Sequence, residues 1–443
     1  MTSHEAETHA LGRRVTAGYA AGSVGTGGFG VLPGLVLAYY LTDTLAVGAL
    51  LAAVIVVIPK AIDVAINPVI GARSDKDAHT SAGRTRLMWI GSAAIIPLFI
   101  LTFCAPTAAG PGLGALWVLV FFSLTAIAYA CFQVPYVALP AYLTGDYHER
   151  TRLISVRIAV LALTILIVGA GAPAIRDAFG GGAAGYAVMA VCAALLIGGG
   201  MAASTATAGR AAQSAGEPTA HRPRDGFVAL RDNHHYRTLL TVFVVQALAT
   251  AVMLAGAQYL ATYVLDDKSA LTLVFASLVG PALIVMPLWV RLGRRWGKRR
   301  ALLAASALFL IASLVLTVAI WAPGGWIFAP IALCGVAYAG LQTFPLAMLP
   351  DVIDEYSTQT GRNQGGALSG LWTAGETLGL ALGPGVYLLV LAATGFRSST
   401  ADQTVTQSDT AVAGITAGFA LVPAVLIAIS IAVLSRYERS TRR

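Results

Sequence analysis

The sequence predicts an all-α membrane protein of twelve transmembrane helices in two six-helix halves, and three observations lead there. Hydrophobic residues make up 57% of the 443 and charged residues only 11%, against about 25% charged in an ordinary soluble domain. Apolar runs of the roughly 20 residues that cross a bilayer recur along the chain. The same proline punctuation then appears twice, once in each half.

The first half, residues 1–207, holds runs near 17–41, 46–73, 86–106, 114–144, 153–174 and 184–207. The first run follows a tail too polar for a signal peptide, so it is expected to stay attached. Gly18, Gly22, Gly25, Gly27, Gly28, Gly30 and Gly34 stud this helix and allow neighbouring backbones to approach closely. Residues 208–235 are polar and rich in Ala, Pro, Arg and His, which reads as a cytoplasmic linker. The second half, 236–443, holds runs near 236–264, 270–291, 300–321, 325–350, 363–393 and 413–435.

Helix four ends "QVPYVALPAYLTGDYHERTR" and helix ten ends "QTFPLAMLPDVIDEYSTQTGR". Pro135 and Pro140 match Pro345 and Pro350, and Arg152 matches Arg362, with acidic residues between in both. Helices two and eight are each followed by a basic loop. Such a repeat predicts the major facilitator architecture, with substrate held between the halves at the membrane midplane.

Basic residues report orientation, because short loops rich in Lys and Arg stay in the cytoplasm. Only Arg176, Lys268 and Arg397 fall on odd-numbered loops, and Lys60 and Arg157 are embedded. All other cations lie in the two tails and the even-numbered loops, so both termini are expected in the cytoplasm and the chain in the plasma membrane. The net charge of +8 is thus a topology signal, and nucleic-acid binding is not implied. The expected partners are the lipid bilayer and a small-molecule substrate, and a monomer is expected. Cys104, Cys131, Cys192 and Cys334 lie in apolar runs without metal or disulfide spacing, which reads as core packing.

Charges in mid-membrane cost about 3 kcal/mol each on insertion scales and mark function. Lys60 and Asp63 in helix two, Arg157 in helix five and Glu376 in helix eleven are the candidates. Lys60 and Asp63 share a helical face and can pair. Arg157 lies near the cytoplasmic end, within snorkelling reach, whereas Glu376 is too deep to snorkel. Asp63 and, second, Glu376 can carry a coupling ion, with the amide oxygen of Asn67 on the same face as Asp63. At the cytoplasmic side Asp75 faces Arg84, and Asp351 and Asp354 precede Arg362; with Arg152 these form a candidate gate of ion pairs.

"DVAINPVIG" with "SD" and "GRTR", "YYLTD", "VPYVALPAYLTGDYHERTRLISVR" and "LPDVIDEYSTQTGRNQGG" together resemble the glycoside-pentoside-hexuronide cation symporters, in order and spacing across both halves. The resemblance implies that Asp63 is the first cation-binding aspartate, that Arg157 is a substrate-site arginine, and that Lys60 and Arg362 match basic positions of the family. Departures are informative. The family's second aspartate is Asn67, its helix-four hydroxyl Ala130, its sugar-holding aspartates Gln133 and Gly27, its stacking tryptophan Val137 and its helix-eleven lysine Glu376. Sodium thereby loses a carboxylate and a hydroxyl, so the proton is the expected coupling ion and sodium the alternative. Galactoside recognition is not implied. The inverted charge at 376 suggests a pair with Arg157 or Lys60, or a contact to a cationic or polar part of the substrate.

The expectation is a secondary active symporter of a glycoside or other organic solute, with an efflux antiporter or a carrier of lipid-like amphiphiles as alternatives. Lys60, Gln133, Tyr136, Arg157, Trp372 and Glu376 are the expected substrate contacts. No cofactor or metal is expected. An enzyme is not, because the seven histidines lie in tails and loops, and "GTGGFG" lies inside a span where a nucleotide loop would need a strand before it.

Overall fold

The computed structural model describes residues 12–78, 85–107, 110–144, 147–213, 230–231, 233–267, 270–360, 365–400 and 405–437. Twelve helices among them are long and apolar enough to cross a membrane. In chain order they are α1 (Arg13–Leu32), α2 (Ala49–Ala78), α3 (Thr85–Thr102), α4 (Pro111–Leu143), α5 (Tyr147–Ala178) and α6 (Ala183–Ser204). The second half follows with α7 (His234–Tyr259), α8 (Ala270–Trp296), α9 (Lys298–Leu316), α10 (Phe328–Thr360), α11 (Gly365–Ala393) and α12 (Asp409–Ser435).

Hydropathy finds the apolar stretch of a helix, and several helices run on beyond it. α10 continues past Pro350 to Thr360, and α5 begins at Tyr147, before its apolar run. Polar residues at a membrane edge stay helical when the backbone bonds are already made, so they leave no apolar trace. Arg157 lies about three turns inside α5, but only five residues from the end of its apolar span, Arg152–Ala178.

Large apolar side chains such as Leu163, Ile167 and Ile284 point outward, as a surface bathed in lipid tails requires. Cys192 is also exposed on that surface while Cys334 is buried, so the four cysteines do not share one core role. The glycines of α1 do pack closely: a Cβ on Gly22 would sit 2.4 Å from the Tyr136 ring. Gly27 and Gly28 in turn pack α1 against Leu161 of α5 and Ile197 of α6.

The repeat shows in the backbone. α1 ends in a π-helical turn at Tyr40–Thr44 and α7 in another at Leu260–Val264. Each is followed by a residue with φ of 53°, Ala46 and Asp266. Such turns free carbonyls and re-aim side chains, and they concentrate at functional sites.

The halves meet through α2 against α11 and α5 against α8. Gly385 lies on Val57, Gly169 on Phe275, and the Thr272 hydroxyl donates to the Ala170 carbonyl at 3.4 Å. All of these are at the end of the bundle that carries the odd-numbered loops.

Candidate functional site

Two polar regions lie along the interface between the halves. The first is central. Asp63 on α2 is 4% exposed, and no hydrogen bond or ion pair reaches its carboxylate from the described residues. The expected Lys60–Asp63 ion pair is not made. Lys60 Nζ sits 5.0 Å over the Phe29 ring, and the two charges interact only through space. An aromatic face satisfies an ammonium without holding it against a carboxylate. Phe29 in turn stacks on Tyr129, which lies in the fields of both Asp63 and Arg157.

Arg157 on α5 stands 5.4 Å from the Tyr136 ring. Tyr136 is fully buried: its hydroxyl donates to the Tyr19 carbonyl at 2.8 Å and lies 3.1 Å from Ser23 Oγ, and its ring stacks on Tyr19 and Phe132. It therefore positions Arg157 and offers no free polar atom of its own. Trp372, 2% exposed and stacked on Phe243 at 4.5 Å, is likewise packed within its half. Glu376, in the opposite half from Arg157, feels its charge without an ion pair between them. Tyr338 on α10 lies within the field of Glu376, and its hydroxyl accepts from Gln342 Nε2 at 3.0 Å.

Buried polar atoms nearly always have a partner. Asn67 Oδ1, Gln133 Oε1, Arg157 Nε and Trp372 Nε1 have none among the described residues. All four belong to the expected cation and substrate residues, and the first three sit in the first half. Gly27, where the resemblance places an aspartate, has α5 close by: a Cβ there would meet Leu161 at 3.1 Å. That position is occupied by helix packing.

The second region seals the odd-loop end. Asp43, in the π-turn of α1, accepts from Thr42 at 2.5 Å, from Ser399 at 3.2 Å and from the Tyr263 hydroxyl. Thr42 Oγ1 lies 2.7 Å from the Tyr259 hydroxyl. The Ser399 amide donates to the Thr42 carbonyl at 2.9 Å and the Ser398 hydroxyl to the Val47 carbonyl at 2.7 Å. A single β-bridge joins Leu45 to Thr400. Beside this knot Arg176, 2% exposed, donates to Asp177 at 2.8 Å and to the Tyr186 hydroxyl at 3.3 Å. A cavity of about 80 Å³ separates Arg176 from Asp43. The sequence marks Asp43 within "YYLTD" but not its distant partners Tyr263 and Ser399, which come from 220 and 356 residues away.

The expected cytoplasmic gate is only partly visible. Arg84 and Arg362 lie outside the described residues, and the side chain of Asp75 is not described. Arg152 pairs with Glu149 on its own helix at 3.4 Å, and Asp351 with Lys298 of its own half at 2.5 Å. Asp354 is exposed, with only its backbone carbonyl engaged, by Thr358.

A family model described as MFS/sugar transport protein matches residues 18–439. The chain belongs to the MFS/sugar transport protein family. It is 26% identical over 386 residues to the sodium-dependent lysophosphatidylcholine symporter 1 of Gallus gallus, covering 78% of this chain and 72% of that one. It is 22% identical to the isoprimeverose transporter of Lactiplantibacillus pentosus, over 91% and 84% of the two chains. Its fold matches the crystal structure of a D-xylose-proton symporter with a TM-score of 0.67 and 12% identity, over 97% and 98% of the chains. This transporter therefore has the major facilitator fold expected from its repeat, and it is not an enzyme.

Proposed function

We propose that this transporter is a proton-coupled symporter of an organic solute, with Asp63 as the proton carrier. The observation that supports it is a buried carboxylate at mid-helix with no hydrogen-bond donor or cation in contact with it. Such a group can exchange a proton whenever water reaches it from either side. Sodium needs several oxygen ligands, and here an amide stands at Asn67 and a methyl group at Ala130, where the resemblance places a carboxylate and a hydroxyl. Solute binds between the halves, at Lys60, Gln133, Arg157 and Glu376, with Tyr136 and Trp372 supporting it from behind. With both termini in the cytoplasm and residues 208–235 linking the halves there, the sealed end faces outward. The protein works as a monomer in the plasma membrane without a cofactor. The names of its relatives favour glycosides and lysolipids as the solutes to try first.

Proteoliposome flux under imposed proton or sodium gradients tests this. A proton gradient should drive accumulation, and Asp63→Asn should abolish accumulation while leaving solute exchange without a gradient. Accumulation driven by sodium alone, or unchanged accumulation in Asp63→Asn, would sink the reading.

A further inference from the structure

Lys60 and Asp63 stand three residues apart on α2, on one face, where opposite charges ordinarily pair. Contact would suit both, since opposite charges attract strongly where water is excluded. Instead the Lys60 ammonium lies 5.0 Å from the centroid of the Phe29 ring, with no ion pair or hydrogen bond from the described residues. The ring is not free to yield. Phe29 is fully buried on α1, stacks on Tyr129 of α4 at 4.3 Å, and packs against Phe99 of α3 and Phe122 of α4 at 6.4 and 6.3 Å. Three helices of the first half thus fix one aromatic face within reach of the Lys60 stem.

The consequence falls on Asp63. A proton and a neighbouring ammonium compete for one carboxylate, because an ammonium in contact stabilises the charged form and displaces the proton. Of the groups on the helices packed against α2, Tyr129 of α4 is a phenol in the field of Asp63, and Glu376 of α11 answers to Arg157, which itself stands on the Tyr136 ring. Among the described residues Lys60 is the one cation whose charge reaches Asp63. We infer that Phe29 is a positioning residue for proton coupling: its face holds the Lys60 ammonium off Asp63, and the carboxylate is left to the proton. This role rests on the reading of Asp63 as the proton carrier. A packing role for Phe29 would depend on the shape of the ring; positioning depends on the negative potential of its face.

The test needs no solute. Infrared spectroscopy of the full-length transporter in nanodiscs follows the C=O stretch of protonated carboxyl groups as pH is varied, and the part absent from Asp63→Asn belongs to Asp63. Pentafluorophenylalanine in place of Phe29 keeps the ring in the core and reverses the potential of its face. It should move the Asp63 titration toward acid by at least about one pH unit, about tenfold in proton concentration, the low end for a carboxylate gaining a cation. Phe29→Leu should act in the same direction, and adding Lys60→Met should cancel the shift in either background. A titration unmoved by the fluorinated ring overturns the inference alone and leaves Asp63 as the proton carrier. A shift that persists with Lys60→Met also overturns it and makes Phe29 a packing residue. A titrating band that Asp63→Asn does not remove overturns the proton-carrier reading itself, and this inference with it.

Discussion

The two ends of the bundle are built differently. At the odd-loop end the halves are tied by hydrogen bonds from Tyr263 and Ser399 to Asp43, from Ser399 to Thr42 and from Ser398 to Val47. At the even-loop end three polar contacts of the described residues each lie within the second half. Lys298 meets Asp351, Arg299 donates to the carbonyls of Leu434 and Ser435, and the Tyr236 hydroxyl donates to the Leu368 carbonyl. The difference teaches where the conformational energy lies. Moving one half against the other costs only those contacts that cross between them, so opening the sealed end must break the knot at Asp43, while the even-loop contacts travel with their own half.

Removing the knot should therefore have the largest effect. Hydrogen bonds to a charged group contribute about 1.5 to 3 kcal/mol each, and Asp43 accepts two from the other half. Asp43→Ala should shift the balance toward an open odd-loop end by on the order of 3 kcal/mol, about a hundredfold. A Thr44→Cys reporter in a background free of Cys104, Cys131, Cys192 and Cys334 reads this directly. A membrane-impermeant maleimide should label it slowly in the otherwise unaltered protein and rapidly with Asp43→Ala. Equal labelling rates would show that apolar contacts alone hold the end shut.

The apolar part of the seal can be broken separately. Gly169 on α5 faces Phe275 on α8, and a Cβ there would lie 2.1 Å from the ring. Gly169→Val should wedge the halves apart at a cost of roughly 1 to 3 kcal/mol, the range for overpacking. The same reporter should label faster, by less than with Asp43→Ala. Phe275→Ala in the same molecule should restore slow labelling, because the ring is what the valine meets. Failure of that rescue would place the strain within α5 and not between the halves.

The contrast also explains how much was legible in the sequence. Apolar runs showed all twelve spans, because a bilayer imposes one length and one polarity on every crossing. Asp63, Arg157 and Glu376 stood out because charge is rare in such runs. The sequence did not show that Lys60 turns to Phe29 and leaves Asp63 without a direct partner, since residue spacing fixes a shared face but not which neighbour wins. Nor did it show the knot. Asp43, Tyr259, Tyr263 and Ser399 lie at span ends, where polar residues are ordinary, and only the folded arrangement of α1, α7 and the segment after α11 brings them together. Gly169 carries no chemical signal at all; its importance comes from the Phe275 ring across the interface.

The smallest effect should come from the even-loop end. The Lys298–Asp351 pair is short at 2.5 Å, yet its side chains are 43% and 61% exposed, and both belong to the second half. An exposed ion pair is worth about 0 to 1 kcal/mol, and one confined to a half does not report on how the halves are placed. Lys298→Ala should leave Thr44→Cys labelling unchanged and transport rates within about twofold of the unaltered protein. Both residues nonetheless lie at the end that must close when the knot opens. If Lys298→Ala speeds or slows exchange tenfold while labelling of the sealed state stays the same, the pair changes partners during the cycle. Asp351 then serves as part of the gate expected from its acidic cluster, in a state other than the one described.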